Sequence, residues 1–256
     1  MPASPVSLFP IEHLPFVEPG DDLASVLVDA LRAQELALLA GDILIVAQKI
    51  VSKAEGRYVN LDEITPSPRA KEIALATGKD PKHVEVILSQ SDSIIKLGPN
   101  IVIAAHKLGF VMANAGIDES NIGQEGPGKR LLLLPSDPDG SADALKRKLD
   151  AAFEVSVGVV ICDSFGRPWR NGVVGVALGA AGLPALVNKI GEPDLFGRTL
   201  KMTEVAIADE LAAAGSLLMG QAAEGIPAVL VRGFSVRAPQ CNASALIRDR
   251  DKDLFR

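Results

Sequence analysis

Aromatic residues are scarce, with one Trp and one Tyr among 256 positions, so the chain cannot lay out the row of ring faces on which successive unpaired bases stack. Positive charge is not in excess either. A net charge of −6 and an isoelectric point near 5.2 exclude a surface devoted to neutralising nucleic-acid phosphates. No nucleic acid is expected as a partner. The only cysteines, Cys162 and Cys241, form neither a CxxC pair nor a Cys/His cluster, which removes a disulfide framework and a structural zinc site and fits reduced thiols in a cytoplasmic protein. His13, His83 and His106 are scattered without ligand or triad spacing. The opening MPASPVSLFP has no basic segment leading into an apolar one, so no secretory signal is expected. The longest uncharged stretch, between Arg170 and Lys189, has the length of a membrane span but is diluted by Gly172, Gly175, Gly179 and Gly182 and broken by Pro184. That composition predicts core packing, and no membrane partner is expected.

What is present is ordinary globular material, 48% apolar and 23% charged. Residues 21–36 have helical spacing behind Asp21 and Asp22, and Ile43 to Ala47 form an apolar run that delivers Gln48, Lys49 and Lys53. Pro and Gly punctuate one helix over 66–78, and a second follows over 81–92. Residues 94–115 read as three short strands in hairpins, 131–135 as an apolar run, 141–153 as a helix capped by Ser141, and 157–162 as a buried strand. A long helix is expected from Thr199 to Met219, a last strand over 226–234, and a charged peripheral segment over 235–256. This mixed order predicts an α+β fold, with mainly antiparallel sheets and flanking helices, rather than a doubly wound parallel sheet.

Five places are candidates for chemistry, and the first falls away. Gly123 to Lys129 satisfies the first part of a phosphate-loop pattern, but Arg130 follows where Ser or Thr belongs and LLLLP where a helix should start, so a surface loop is expected. At 158–172 an apolar strand ends in Asp163 and Ser164, followed by Arg167 and Arg170: hard oxygens for Mg²⁺ or Mn²⁺ beside cations for phosphate or carboxylate. Asn, Asp and Ser also start turns without any function, and that reading stands beside the chemical one here and at NAGIDESN (114–121), which gathers Asn114, Asp118, Glu119 and Asn121. Lys49 and Lys53 share a face if their segment is helical, and the small-residue loop 219–227 carries Gln221 and Glu224. Cys162, inside an apolar strand, reads as a buried, inert thiol.

Taken in order, VSKAEG (51–56), NAGIDESN (114–121), DSFGRPWRNGVVGVA (163–177), DLFGR (194–198) and LLMGQAAEGIPAVLVRG (217–233) resemble the coenzyme F-420-0:L-glutamate ligase family, over about residues 8–234. The resemblance implies one ligase domain over 1–256, built as two interwoven subdomains in an intertwined homodimer. It also implies GTP-driven formation of an amide between L-glutamate and the lactate-derived carboxylate of the deazaflavin precursor coenzyme F-420-0, with γ-linked extension and an acyl-phosphate route. In that scheme Asp118 and Asp163 hold one Mg²⁺ or Mn²⁺, and Ser164 and Gln221 position a second. Leu14, Pro15, Phe16, Val17, Gln48, Lys49, Lys53, Asn121, Met219, Gly220, Gln221, Ala222, Ala223, Glu224, Gly225 and Ile226 line the nucleotide site, and a monovalent cation such as K⁺ is admitted. Lys49 and Lys53 serve as donors to the phosphates, and our own addition is that Arg167 and Arg170 bind substrate carboxylate or phosphate. Ser164 stands where Thr is expected, and Gln221 where an acidic ligand can occur. Two other readings are a ligase for a different carboxylate acceptor and a non-catalytic GTP- and metal-binding protein.

Overall fold

The computed structural model describes residues 5–123 and 129–253; residues 124–128 of the expected surface loop and 254–256 of the C-terminal segment lie outside the described residues. In chain order the elements are β1 (Ser7–Ile11), α1 (Leu23–Ala33), β2 (Ile43–Ala47), α2 (Gln48–Ala54), β3 (Tyr58–Asn60), α3 (Pro68–Thr77), α4 (Pro81–Gln90), β4 (Ser91–Gly98), β5 (Ile101–His106) and β6 (Val111–Ala113). They continue with β7 (Arg130–Leu132), α5 (Pro138–Phe153), β8 (Gly158–Arg167), β9 (Arg170–Ala181), β10 (Val187–Asn188), β11 (Glu204–Val205), α6 (Ile207–Met219) and β12 (Ala228–Arg232).

The strands β2, β8 and β12 read as continuous apolar runs because helices cover both faces of the sheet they share, whose order is β1-β12-β2-β8-β9. Leu44, Val46, Val159, Ile161 and Leu230 face the core made with α1, α2 and α5. Their alternates Ile43, Ile45, Val160, Cys162 and Val231 face α6. Every pairing in this sheet is antiparallel except β2 with β8. The expected α+β class with mainly antiparallel sheets is the class observed.

Two glycines explain why the uncharged stretch packs as core from Gly175 onward, whereas Asn171 to Val173 are exposed. A side chain at Gly175 would lie 2.3 Å from the Ala212 carbonyl oxygen on α6, and one at Gly179 would lie 2.1 Å from the Pro138 carbonyl oxygen on α5. The register shift at Ile161/Cys162 changes which face of β9 points where, so the two glycines admit helices on opposite sides. Among the described residues no helix is long and apolar enough to cross a membrane.

Between α2 and α5 the chain leaves the sheet to build a lobe with its own core, which includes Leu61, Ile73, Ile87, Val102 and Leu131. Ser67 and Asp80 cap α3 and α4, each with proline next, as the punctuation predicts. β4, β5 and β6 form the expected hairpins, and β3 pairs with β7. His106, 5% exposed at the end of β5, accepts the Leu108 N–H through Nδ1 at 2.9 Å, and burial pushes its pKa down to about 4. The unfolded chain therefore takes up a proton near pH 6.5 that the native state refuses until about pH 4, so stability present at neutral pH is lost across that window. We expect a loss of roughly 3 kcal/mol from this group. Urea unfolding of wild type and His106→Asn between pH 7 and 4 checks it; parallel curves would reject the assignment.

Three expectations need correction. The helix expected from Thr199 starts at Ile207, because Glu204–Val205 pairs with β10 and the acidic Asp209 and Glu210 mark the first helical turn. The helix assigned to Ser141 starts at Pro138, capped by Asp137, which accepts the Gly140 N–H at 3.0 Å. The C-terminal segment is not simply peripheral: Ala243 is fully buried, and the backbone N–H groups of Ala243 and Ser244 donate to Asp139 at 2.9 and 3.1 Å.

Candidate active site

β2 and β8 lie side by side in parallel, with Ala47 opposite Cys162, so the next residues, Gln48 and Asp163, emerge together from the same edge of the buried sheet. Ser164 follows on the opposite face of β8. The lobe supplies the third part: Asp118 is fixed by a two-way backbone bridge to Leu132, N–H to oxygen at 2.9 Å and 3.0 Å, just after the 3₁₀ turn at Asn114–Gly116. The site therefore sits where the lobe meets the main sheet.

Its contacts are dense. Gln48 Nε2 donates to Asp118 Oδ2 at 2.6 Å, while Gln48 Oε1 accepts the buried Ser52 hydroxyl at 2.9 Å and is thereby held in one orientation. Lys49 Nζ pairs with Asp118 Oδ1 at 3.1 Å and donates to the Ser120 carbonyl at 3.2 Å. Ser164 donates to Gln221 Oε1 at 2.6 Å, and Gln221 Nε2 donates to Ser216 at 3.1 Å. Asn121 donates to the Ala222 carbonyl at 2.8 Å, and Glu224 accepts the Ala222 N–H at 2.8 Å. The loop 219–226 is thus tied both to the lobe and to β8.

The electrostatics single out the two aspartates. Burial, and then the neighbouring charge of Asp118, push the Asp163 carboxyl up to about 7, against the opposing pull of the Ser164 N–H, Lys49 and Gln48. Burial raises Asp118 as well, although Lys49, Gln48 and Lys53 all act in the other direction. Lys53 is held below its usual range by burial and then by the charge of Lys49, with Glu18 opposing. Two carboxylates and two ammonium groups thus converge at the junction.

The structure brings together Gln48, Lys49, Lys53, Asp118, Asn121, Asp163, Ser164 and the 219–226 loop. In the segment 14–17, Leu14 and Val17 pack in the same core as Ile50 and Val51 of α2, while Phe16 is 93% exposed. Met219 lies with its sulfur 3.9 Å from Cys162, whose buried thiol is pushed up to about 12 and is inert as expected. Arg167 and Arg170 face each other at the far end of the β8–β9 hairpin, about 13 Å along the strand from Asp163, outside this network. Two members of the 114–121 cluster are also engaged elsewhere. Asn114 accepts the Val102 N–H at 3.1 Å, and Glu119 turns away to His83 Nδ1 at 2.7 Å and Lys129 at 3.1 Å. Sequence reasoning did not point to Ser52 or Ser216, although Ser52 stands four residues after Gln48, the spacing that brings helical side chains together.

Among the described residues no three His, Cys, Asp or Glu side chains are grouped so that they alone could hold a metal ion. A cation here would have two carboxylates supplemented by amide and hydroxyl oxygens, a hard-oxygen set that suits Mg²⁺ or Mn²⁺ and not zinc.

Comparison with known proteins adds a family. The model of the F420-0:gamma-glutamyl ligase family matches residues 12–233. The chain is 48% identical over 255 residues to coenzyme F420:L-glutamate ligase of Methanothermobacter thermautotrophicus, covering 98% of this chain and 99% of that protein. It is 46% identical over 260 residues to the protein of that name from Methanopyrus kandleri, covering 100% and 99%. The Archaeoglobus fulgidus protein of that name is 43% identical over 251 residues, covering 98% and 96%.

Proposed function

This chain belongs to the F420-0:gamma-glutamyl ligase family, and from that premise we propose that it joins L-glutamate to the carboxylate of coenzyme F-420-0 at the expense of GTP. The observation that carries the reading is the approach of Asp118 and Asp163 from two separate parts of the fold, beside Lys49 and Lys53. Two largely desolvated carboxylates, of which Asp118 helps to raise the pKa of Asp163, fit a divalent cation between them.

Amide formation from a carboxylate needs a leaving group on the carbonyl carbon. A carboxylate oxygen of the acceptor attacks the γ-phosphorus, the bond to the β-bridging oxygen breaks, and GDP leaves. The glutamate amine then attacks the acyl carbon, phosphate departs, and the amine gives up a proton. Bound Mg²⁺ or Mn²⁺ supplies charge neutralisation for the phosphoryl oxygens, with Asp118 and Asp163 holding one ion and Ser164 and Gln221 placing a second. Lys49 and Lys53 donate to phosphate oxygens, and Gln48, locked by Ser52, orients Asp118. The loop 219–226 and the segment 14–17 border the nucleotide, K⁺ is the monovalent ion to include, and Arg167 and Arg170 lie far enough out to meet distal anionic groups of the acceptor rather than its reacting carboxylate.

The test is a reaction with Mn²⁺, K⁺, GTP, coenzyme F-420-0 and L-glutamate, followed by mass spectrometry. GDP release that requires both acceptor and glutamate, with mass gained in glutamyl steps, is the expected result; no glutamylated product would sink the proposal. For the second ion, Gln221→Glu adds a carboxylate beside Ser164 and should tighten Mn²⁺ binding about ten-fold in calorimetry. Unchanged affinity would remove Gln221 from the ligand set.

The homodimer is part of the proposal. It is supported by Leu195 and Phe196, which are 100% and 91% exposed between β10 and β11, apolar surface suited to a second copy. Sedimentation should return twice the chain mass of 26.8 kDa, and a monomer at micromolar concentration would refute it.

A further inference from the structure

Glu119 is adjacent to Asp118 but points the other way. Its Oε1 lies 2.7 Å from Nδ1 of His83 on α4, and its Oε2 lies 3.1 Å from Lys129 Nζ. His83 is 3% exposed, seated in the lobe core, and its Nε2 is buried without a hydrogen-bond partner among the described residues. A protonated ring would bury a charged N–H with no acceptor, so the neutral form with the proton on Nδ1 is the one that fits, donating to Glu119. Within residues 118–121, Glu119 alone turns back into the lobe, while its neighbours reach across to the other half of the molecule. The Asp118 side chain meets Gln48 and Lys49, the Glu119 side chain meets His83, the Ser120 carbonyl meets Lys49, and the Asn121 side chain meets the Ala222 carbonyl.

We propose that His83 is a positioning residue: through Glu119 it pins the 118–121 turn to the lobe core and so fixes where the Asp118 carboxylate stands against the main sheet. A buried imidazole suits the task because its ring is immobilised by packing and offers one donor in a fixed direction. An exposed lysine such as Lys129 gives charge without that constraint. The consequence for metal binding rests on the proposed role of Asp118, whereas the placement of the turn does not.

The experiment separates the two. Hydrogen exchange of the intact chain without ligand reads the Asp118 amide, which donates to the Leu132 carbonyl at 2.9 Å. In His83→Leu this amide should exchange about ten-fold faster while α1, α5 and α6 are unchanged. His83→Asn, whose side-chain N–H₂ stands close to where Nδ1 was, should restore slow exchange. Mn²⁺ affinity should fall about ten- to a hundred-fold in His83→Leu and recover in His83→Asn. Wild-type exchange in the leucine variant overturns the proposal, and so does equal acceleration in both variants, which would make the ring a packing element only. If His83→Leu fails to fold, Glu119→Ala, which alters a half-exposed side chain, must reproduce the faster exchange, and slow exchange there also overturns it. A wild type that binds no Mn²⁺ counts against the proposed metal site and leaves the exchange result to judge His83.

Discussion

Asp163→Asn should lower turnover by roughly a thousand-fold, equivalent to about 4 kcal/mol of lost transition-state stabilisation, while the fold stays intact. The substitution keeps volume and shape and retains an oxygen for the Ser164 N–H, but removes the charge that would hold the cation. Its effect on stability has the opposite sign. In the metal-free chain the Asp163 pKa is raised from 3.8 to about 7, so the charged form is a liability to the native state that is greatest above pH 7 and is relieved as pH falls from 7 towards 3.8. The metal-free variant should therefore be more stable than wild type at pH 8, with the gap closing in acid. Steady-state kinetics with urea unfolding at pH 8 and 5 tests both halves, and wild-type turnover would reject the metal role.

The second large effect is structural. Arg232→Met is expected to cost about 3–5 kcal/mol, because it strands a buried carboxylate. Asp42, 2% exposed just before β2, receives Arg232 Nε at 3.1 Å and Nη2 at 2.6 Å. The same guanidinium donates to the Ala37 carbonyl at 2.7 Å and lies 5.8 Å over the Phe9 ring, so one side chain joins β12, β1 and the entry to β2. Removing both charges in Arg232→Met with Asp42→Leu should recover most of the loss. Guanidinium denaturation measures the set; a single-variant cost under about 1 kcal/mol would show that the pair is dispensable.

The elements that were legible in the sequence are those whose burial is written in short patterns. Runs such as Ile43 to Ala47, and the Ser-Pro and Asp-Pro starts of α3 and α4, carry their own boundaries. The start of α6 was not legible, because residues 199–206 are compatible with helix and are claimed instead by pairing of Glu204–Val205 with β10, a tertiary contact. The same holds in the site. Asp118 and Asp163 could be picked out as acidic residues after apolar strands, but which neighbour faced them could not: Glu119 and Asn114 belong to the same short segment and turn to His83 and Val102. Direction depends on the lobe that closes around the turn. Ser52 and Ser216 are ordinary helical serines until Gln48 and Gln221 are seen to lean on them.

The sheet order also sets a timetable for synthesis. β12 lies between β1 and β2, and β8 is the other neighbour of β2, so neither β1 nor β2 meets a sheet partner until long after it is made. On a ribosome adding 5–20 residues per second, β2 waits roughly 5–20 s for β8, about 110 residues later, and β1 waits roughly 10–40 s for β12, about 220 residues later. The lobe between α2 and α5 has no such delay, because its partners lie within one stretch of chain. Nascent chains halted before β8 should thus show a protease-resistant lobe tethered to protease-sensitive β1 and β2, the period in which these apolar strands most need shielding.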